Sequence, residues 1–306
     1  GDMAKIAFIG AGSLGFSRRL MIDLLNCPAL RDAEFALMDV DTMRLGYMDR
    51  IAGRIIEEMK AIAELKFDYL ELAMDPPCCD SKSLRNQKRE VRESLVQHGL
   101  GLVCHLPTFL FTADLTDRIR QASIDETLDS LEVAAELQPL KVVLHPSYMM
   151  GMGVFVPELT KAHGMESLEI LVEKAHALGL CLCLENMFPR TQWLIHPEEF
   201  MEILAKFPTV NLLLDVGHAH IEDAGGKKCL RFIEMFPDRI GHLHVSDNFG
   251  KEDQHLPIGA GIIDFPRVVN ALKKAGYNDT ITLEVFSRDR EYLKMSHKKI
   301  KEMFEK

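Results

Sequence analysis

The sequence has no apolar run long enough to span a bilayer, no surplus of positive charge and no even set of cysteines. Each lack excludes something. Without a spanning run and without a secretory pattern at its start, the chain is expected to be soluble and cytoplasmic, with no membrane partner. Its 36 Lys and Arg against 46 Asp and Glu leave a formal charge of -10, which argues against a nucleic-acid surface, since such surfaces want a basic stripe. Seven cysteines, an odd number, argue against a disulfide framework and for a reducing compartment. Cys181 and Cys183 share a strand face and read as small buried hydrophobes. Cys78-Cys79 could ligand a metal, but no second pair supports it. Tryptophan is nearly absent: the one residue, Trp193, sits in a loop. What is present is 47% hydrophobic and 27% charged residues in a chain of 306, the composition of a globular protein large enough for one big α/β domain or two smaller ones.

Residues 1–60 read as strand, helix, strand, helix after Gly1-Asp2-Met3, which reads as an expression scar. Lys5–Gly10 is a short buried strand, and Phe35–Val40 is a second. Between them stands Gly10-Ala-Gly12-Ser-Leu-Gly15, the order that lets a backbone approach a pyrophosphate at a helix N-terminus. Asp39 and Asp41 end the second strand, where an acid suits a ribose hydroxyl. Through Ala7-Phe-Ile-Gly-Ala-Gly-Ser and Ala36-Leu-Met-Asp-Val-Asp this segment resembles the N-terminus of the NAD-dependent family 4 glycoside hydrolases. The further strands of a nucleotide fold do not follow. Residues 1–60 are therefore read as a Rossmann-like βαβα start that binds no nucleotide; Gly10, Gly12 and Gly15 are the candidate cofactor contacts, and NAD is not expected.

From residue 61 onward the chain alternates. Strands are expected at Tyr69–Met74, Gly101–Leu106, Val142–His145, Leu180–Glu185, Leu212–Asp215, Ile240–Val245 and Thr280–Val285. Helical patterns lie between them, for example Ile124–Leu137 and Met165–Leu178. That alternation implies parallel strands with helical crossovers, an α/β fold. Seven strands want an eighth to close a (β/α)8 TIM barrel over residues 61–306. It is expected from residues 1–60, where two candidates leave one surplus.

Chemistry on such a barrel gathers at the strands' C-terminal ends. Those ends carry His105, His145, Glu185, Asp215 with His218, His244, and Glu284. The Gly-rich loop after His244 adds Asp253 and His255. His242 alternates with His244, so one of the two is expected to face the interior, and His244 is nearer the strand end. Asp-x-x-His spacing selects His218 over His220. Carboxylate oxygen with imidazole nitrogen suits zinc, manganese, magnesium or cobalt. Burying so many of these groups together is costly unless a cation neutralises them, so one or more divalent metals are implied.

His145-Pro-Ser, Leu184-Glu185-Asn186, Leu214-Asp215-Val-Gly-His218, His242-Leu-His244-Val-Ser-Asp247 and Asp253-Gln-His255-Leu-Pro-Ile-Gly-Ala-Gly together resemble the xylose-isomerase-like barrel superfamily. It includes sugar isomerases and epimerases as well as endonuclease IV-type apurinic endonucleases (AP endonuclease family 2). For the epimerases the resemblance implies one metal on Glu185, Asp215, His244 and Glu284, with Glu185 and Glu284 also acting as acid and base. For the nucleases it implies a zinc cluster on all nine of His105, His145, Glu185, Asp215, His218, His244, Asp253, His255 and Glu284. The favoured expectation is a metal-dependent isomerase or epimerase of a small sugar or sugar-phosphate-like hydroxy-carbonyl compound. Arg190, Lys251, Arg288 and Trp193 are its candidate substrate contacts. The alternatives are a metal-dependent phosphodiesterase acting on abasic DNA and a metal-binding barrel without activity. A homo-oligomer is left open.

Overall fold

A computed structural model describes residues 5–9, 34–38, 55, 58–77, 79–223 and 225–305. The chain divides into two units, Gly1–Ile62 and Ala63–Lys306. In the first, β1 (Lys5–Ile9) pairs in parallel with β2 (Glu34–Met38), Lys5 opposite Glu34 and Ile9 opposite Met38. The glycines at 10, 12 and 15, the acids at 39 and 41, and Cys78 lie outside the described residues.

The second unit is a parallel sheet of seven strands with helical crossovers, a nearly closed TIM barrel. Its strands are β3 (Tyr69–Ala73), β4 (Gly101–His105), β5 (Lys141–Leu144), β6 (Leu182–Glu185), β7 (Asn211–Asp215), β8 (Ile240–Val245) and β9 (Thr280–Leu283), and they are ordered in space as in sequence. No eighth strand is paired into that sheet among the described residues; the one expected from residues 1–60 is absent from it, and β1 and β2 pair with each other instead. The sheet nonetheless curls until its ends meet. Tyr69 Oη on β3 lies 3.1 Å from Thr282 Oγ1 on β9.

Helices α1 (Ser81–His98), α2 (Asp117–Leu137), α3 (Pro157–Ala177), α4 (Pro197–Lys206), α5 (Val216–His220), α6 (Lys227–Met235), α7 (Phe265–Lys274) and α8 (Glu291–Glu305) separate or follow these strands. Among the described residues, no helix is long and apolar enough to cross a membrane. The helices present one apolar face. On α2 the buried set is Ile124, Leu131, Val133, Ala134 and Leu137 with Ser123, Thr127 and Ser130, at helical spacing.

Strand period places the chemistry. Side chains two apart share a face. Tyr69, Val103, Val143, Cys183 and Leu213 pack as one interior layer. Two residues further along come Glu71, His105, His145, Glu185 and Asp215. The intervening residues, such as Leu102, Val142, Leu182, Leu184, Leu212 and Leu214, are buried and apolar, and by the same alternation they face the helices. Each such leucine removed from water is worth about 1.5–3 kcal/mol. An apolar floor and two apolar faces thus hold a ring of polar groups at the strand ends.

Candidate active site

Glu185 is the hub. It is 1% exposed. Its Oε2 lies 3.1 Å from His145 Nε2 and 3.5 Å from His105 Nε2. Its Oε1 lies 3.3 Å from His218 Nδ1 and 3.6 Å from His244 Nδ1. His244 Nδ1 is also 3.2 Å from Glu284 Oε1 and 3.9 Å from Asp215 Oδ2. On the other side of the mouth, Asp253 Oδ2 lies 2.8 Å from His255 Nε2 and 3.3 Å from His218 Nε2, and His255 Nδ1 is 3.5 Å from Glu284 Oε2. All nine strand-end residues read from the sequence therefore form one connected cluster.

Neighbours fix most of the rings from behind. His105 Nδ1 donates to Leu106 O at 2.8 Å, and His218 Nδ1 donates to Asn186 O at 2.9 Å. His145 Nδ1 meets Tyr148 Oη at 3.2 Å. Asn186 also grips the backbone of Asp215: its Oδ1 accepts from Asp215 N at 2.7 Å and its Nδ2 donates to Asp215 O at 3.1 Å. Asp215 Oδ1 caps α5 by accepting from His218 N at 2.6 Å, which sets the Asp-x-x-His pair side by side. The loop bearing Asp253 and His255 is pinned by Asp247. That carboxylate accepts from the backbone of Asn248, Gly259, Gly261 and Ile263. A Cβ on Gly261 would overlap Asn248 O and Asp247 Oδ1, so the tight return requires glycine there. His255 itself stands at φ 46°, in the left-handed region, with its ring stacked on Phe286 at 4.0 Å. Such strain in a side chain without glycine's freedom recurs at functional sites.

Charge is unevenly shared. Burial works against protonated imidazoles, but adjacent carboxylates outweigh it. Glu185 helps push His105 up to about 9, Asp215 leads in pushing His218 up to about 10, and Glu284 leads in raising His244. Glu185 is held well below the usual carboxylate range by His145 and its fellow imidazoles, despite burial. Asp215 goes the other way, driven up to about 7 by burial and by the like charges of Glu284 and Glu185.

The donor set fits a divalent cation. Buried atoms without a hydrogen-bond partner include Glu185 Oε2, Asp215 Oδ2, His244 Nδ1, Asp253 Oδ1 and His255 Nδ1. Unpaired buried polar atoms are expensive. One ligand atom each from Glu185, Asp215 and His244 lies within 4.8 Å of the others, and His105, His145 and Glu185 form a second such group. Oxygen with imidazole nitrogen at this spacing suits zinc, manganese, magnesium or cobalt.

Over this cluster opens a cavity of about 610 Å³. Its floor includes His105, His145, Glu185, His218, Asp253, His255 and Glu284; its walls include Phe109, Phe111, Tyr148, Met150, Phe188 and Phe286. Arg190 is the arginine among the lining residues. The other expected substrate contacts lie elsewhere. Lys251 and Arg288 are exposed and not among the lining residues. Trp193 is buried at 5%, its ring against Gly164 of α3, because the loop after β6 turns the indole under the helix rather than over the mouth. His220 also lies apart, on the wall of a separate small cavity.

Two features escaped the sequence reading. His242 and His244 are two residues apart, so they share a face rather than oppose each other. Both are fully buried, and both reach Glu71 of β3, at 3.1 and 2.9 Å. Glu71 sits mid-strand, where a search of strand ends does not look; its signal was an acid in phase with Tyr69 and Ala73 in an otherwise apolar strand.

Comparison with known proteins agrees with this geometry. The family model of xylose isomerase-like TIM barrels matches residues 59–305, and that of family 4 glycosyl hydrolases matches residues 5–72. An uncharacterized protein of Methanocaldococcus jannaschii is 31% identical over 266 residues, covering 81% of this chain and 88% of its own. The L-ribulose-5-phosphate 3-epimerase of Escherichia coli strain K12 is 23% identical over 250 residues, covering 77% of this chain and 84% of its own. The crystal structure of a D-tagatose 3-epimerase-like protein superposes with a TM-score of 0.71 at 28% identity, over 82% of this chain and 95% of that one.

Proposed function

The chain belongs to the xylose isomerase-like TIM barrel family, and from that premise we propose that it is a metal-dependent epimerase or isomerase of a small sugar or sugar-phosphate-like hydroxy-carbonyl compound. The observation that carries this is the meeting of Glu185, Asp215, His244 and Glu284 around unpaired buried donor atoms. Sugar epimerases among its relatives support the substrate class. These four residues would hold the ion. When bound, it would polarise the substrate's carbonyl and neighbouring hydroxyl oxygens. Glu185 and Glu284 are the acid and base: one takes the proton from the carbon beside the carbonyl, and the other returns one to it. Their surroundings differ. Glu185 is held by imidazoles, whereas Glu284 stands nearer the mouth, with its side chain 19% exposed. Arg190 offers a partner for a hydroxyl or an anionic group, and the aromatic walls thin out water above the reacting carbon.

Solvent exchange tests the reading. Metal-loaded protein in D2O with a panel of ketopentoses, ketohexoses and their phosphates is expected to exchange the proton beside the carbonyl of at least one, seen by proton NMR. No exchange on any member contradicts it. The nine-residue cluster favours a second reading, a phosphodiesterase with several metal ions. Incision of abasic DNA together with about three zinc ions per chain supports that reading; one ion per chain and no incision supports the first.

A further inference from the structure

Glu71 has no place in the reaction just described, yet it is a buried carboxylate, its side chain 8% exposed, within hydrogen-bond reach of His244 of the cluster. Keeping a charge there is costly unless it is well paired. Its Oε1 lies 2.9 Å from His244 Nε2, and its Oε2 lies 3.1 Å from His242 Nε2. His242 is itself held from behind, with Nδ1 at 2.6 Å from Thr280 Oγ1. The carboxylate is thus clamped by a second imidazole, and that imidazole is anchored in β9.

The consequence falls on His244. A ring that donates from Nε2 has its lone pair on Nδ1. Nδ1 is the atom facing Glu185, Asp215 and Glu284, and it makes no hydrogen bond. The opposite tautomer would place a proton on Nδ1, aimed at Glu284 Oε1 3.2 Å away, and would close the ring to a cation. We propose that Glu71 is a positioning residue that fixes His244 in the Nε2–H tautomer, so that Nδ1 is presented to a divalent cation, with His242 as its clamp. This rests on the metal reading of the site. Carboxylates behind ligating imidazoles orient the ring and raise its basicity, and losing one typically weakens metal binding 10–100-fold.

Cobalt(II) alone is the probe, read by its visible absorption bands, with no substrate present. E71Q and E71A are expected to bind cobalt about 10–100-fold more weakly than the unaltered protein and to show shifted bands. Y69F, which removes the neighbouring bond to Thr282 but not the clamp, is expected to lower Tm while leaving cobalt affinity unchanged. Equal affinity in E71Q and the unaltered protein overturns the proposal. So does an E71Q that loses one ion outright while the remaining affinity is intact, since that would make Glu71, His242 and His244 a separate ion site. If the unaltered protein takes up no cobalt, the metal reading falls and this proposal falls with it. Should the Glu71 variants fail to fold, 15N-histidine NMR of the unaltered protein decides alone. Read with zinc bound, where the metal has displaced the proton of the metal-free imidazolium, a protonated Nε2 and a metal-bound Nδ1 on His244 are expected, and a protonated Nδ1 or a metal-bound Nε2 overturns the assignment.

Discussion

At the scale of single residues the account turns on Glu185, whose two oxygens face four imidazoles. E185Q keeps the shape but removes the charge, and general acid–base contributions of this kind are worth about 10²–10⁴-fold. The expected outcome is a loss of kcat within that range with an unchanged circular dichroism spectrum; retention of half the activity contradicts the role. A pH prediction follows from the imidazoles. His105, His218 and His244 have raised pKa values, so their protonated forms stabilise the metal-free fold. That contribution is complete below about 6.5 and is lost as pH rises through about 9 and about 10. Asp215 adds to the trend, since up to about 7 it keeps a proton that the unfolded chain releases near 3.8. Cys181, lowered to about 6 by Cys183 against its burial and with help from Lys141, opposes it as a single half-exposed group. The Tm of metal-free protein is expected to fall between about pH 6.5 and about 9.5, and to fall less with cobalt bound, because metal takes the protons' place. A metal-free Tm that rises over this interval contradicts the charge assignment. All nine cluster residues were legible because each is the first polar group past an apolar strand or lies in the polar loop beyond it. Glu71, by contrast, was hidden because its importance comes from a partner 173 positions away, which no local pattern reports.

At the scale of elements, the loop from Ser246 to Asp264 is held by one side chain. D247A would leave the amides of Gly259, Gly261 and Ile263 without their acceptor, a loss of about 1–3 kcal/mol for each one left unsatisfied. Faster hydrogen exchange at those three amides and weaker cobalt binding are the expected results; unchanged exchange would show that the loop is held by other means. Helix α3 carries a separate test. A Cβ at Gly164 would collide with the Trp193 ring, so G164A is expected to cost about 1–3 kcal/mol and to shift the fluorescence of this sole tryptophan without changing cobalt affinity. The seven strands of the barrel were legible to within about two residues at each end, because apolar runs bounded by polar ends mark parallel strands. What the strand pattern could not give was the aromatic wall: Phe109, Phe111, Phe188 and Phe286 come from loops whose course depends on packing rather than periodicity.

At the scale of the whole molecule, seven strands suffice to bring the first and last within hydrogen-bond reach, and Glu71 and Tyr69 tie that seam to β8 and β9. The eighth strand expected from residues 1–60 is not paired into the barrel sheet among the described residues; period alone says how many strands exist and not which pair. The N-terminal segment matches a different family over residues 5–72, and β1 and β2 form a sheet of their own. The central claim is that side chains scattered along the barrel unit converge on a divalent cation at its mouth. Anomalous diffraction from crystals of cobalt-loaded protein tests this most directly. The account predicts a peak within bonding distance of Glu185, Asp215, His244 and Glu284, with His244 bound through Nδ1. Cobalt bound only elsewhere, or no peak in this chamber at saturating metal, would contradict it.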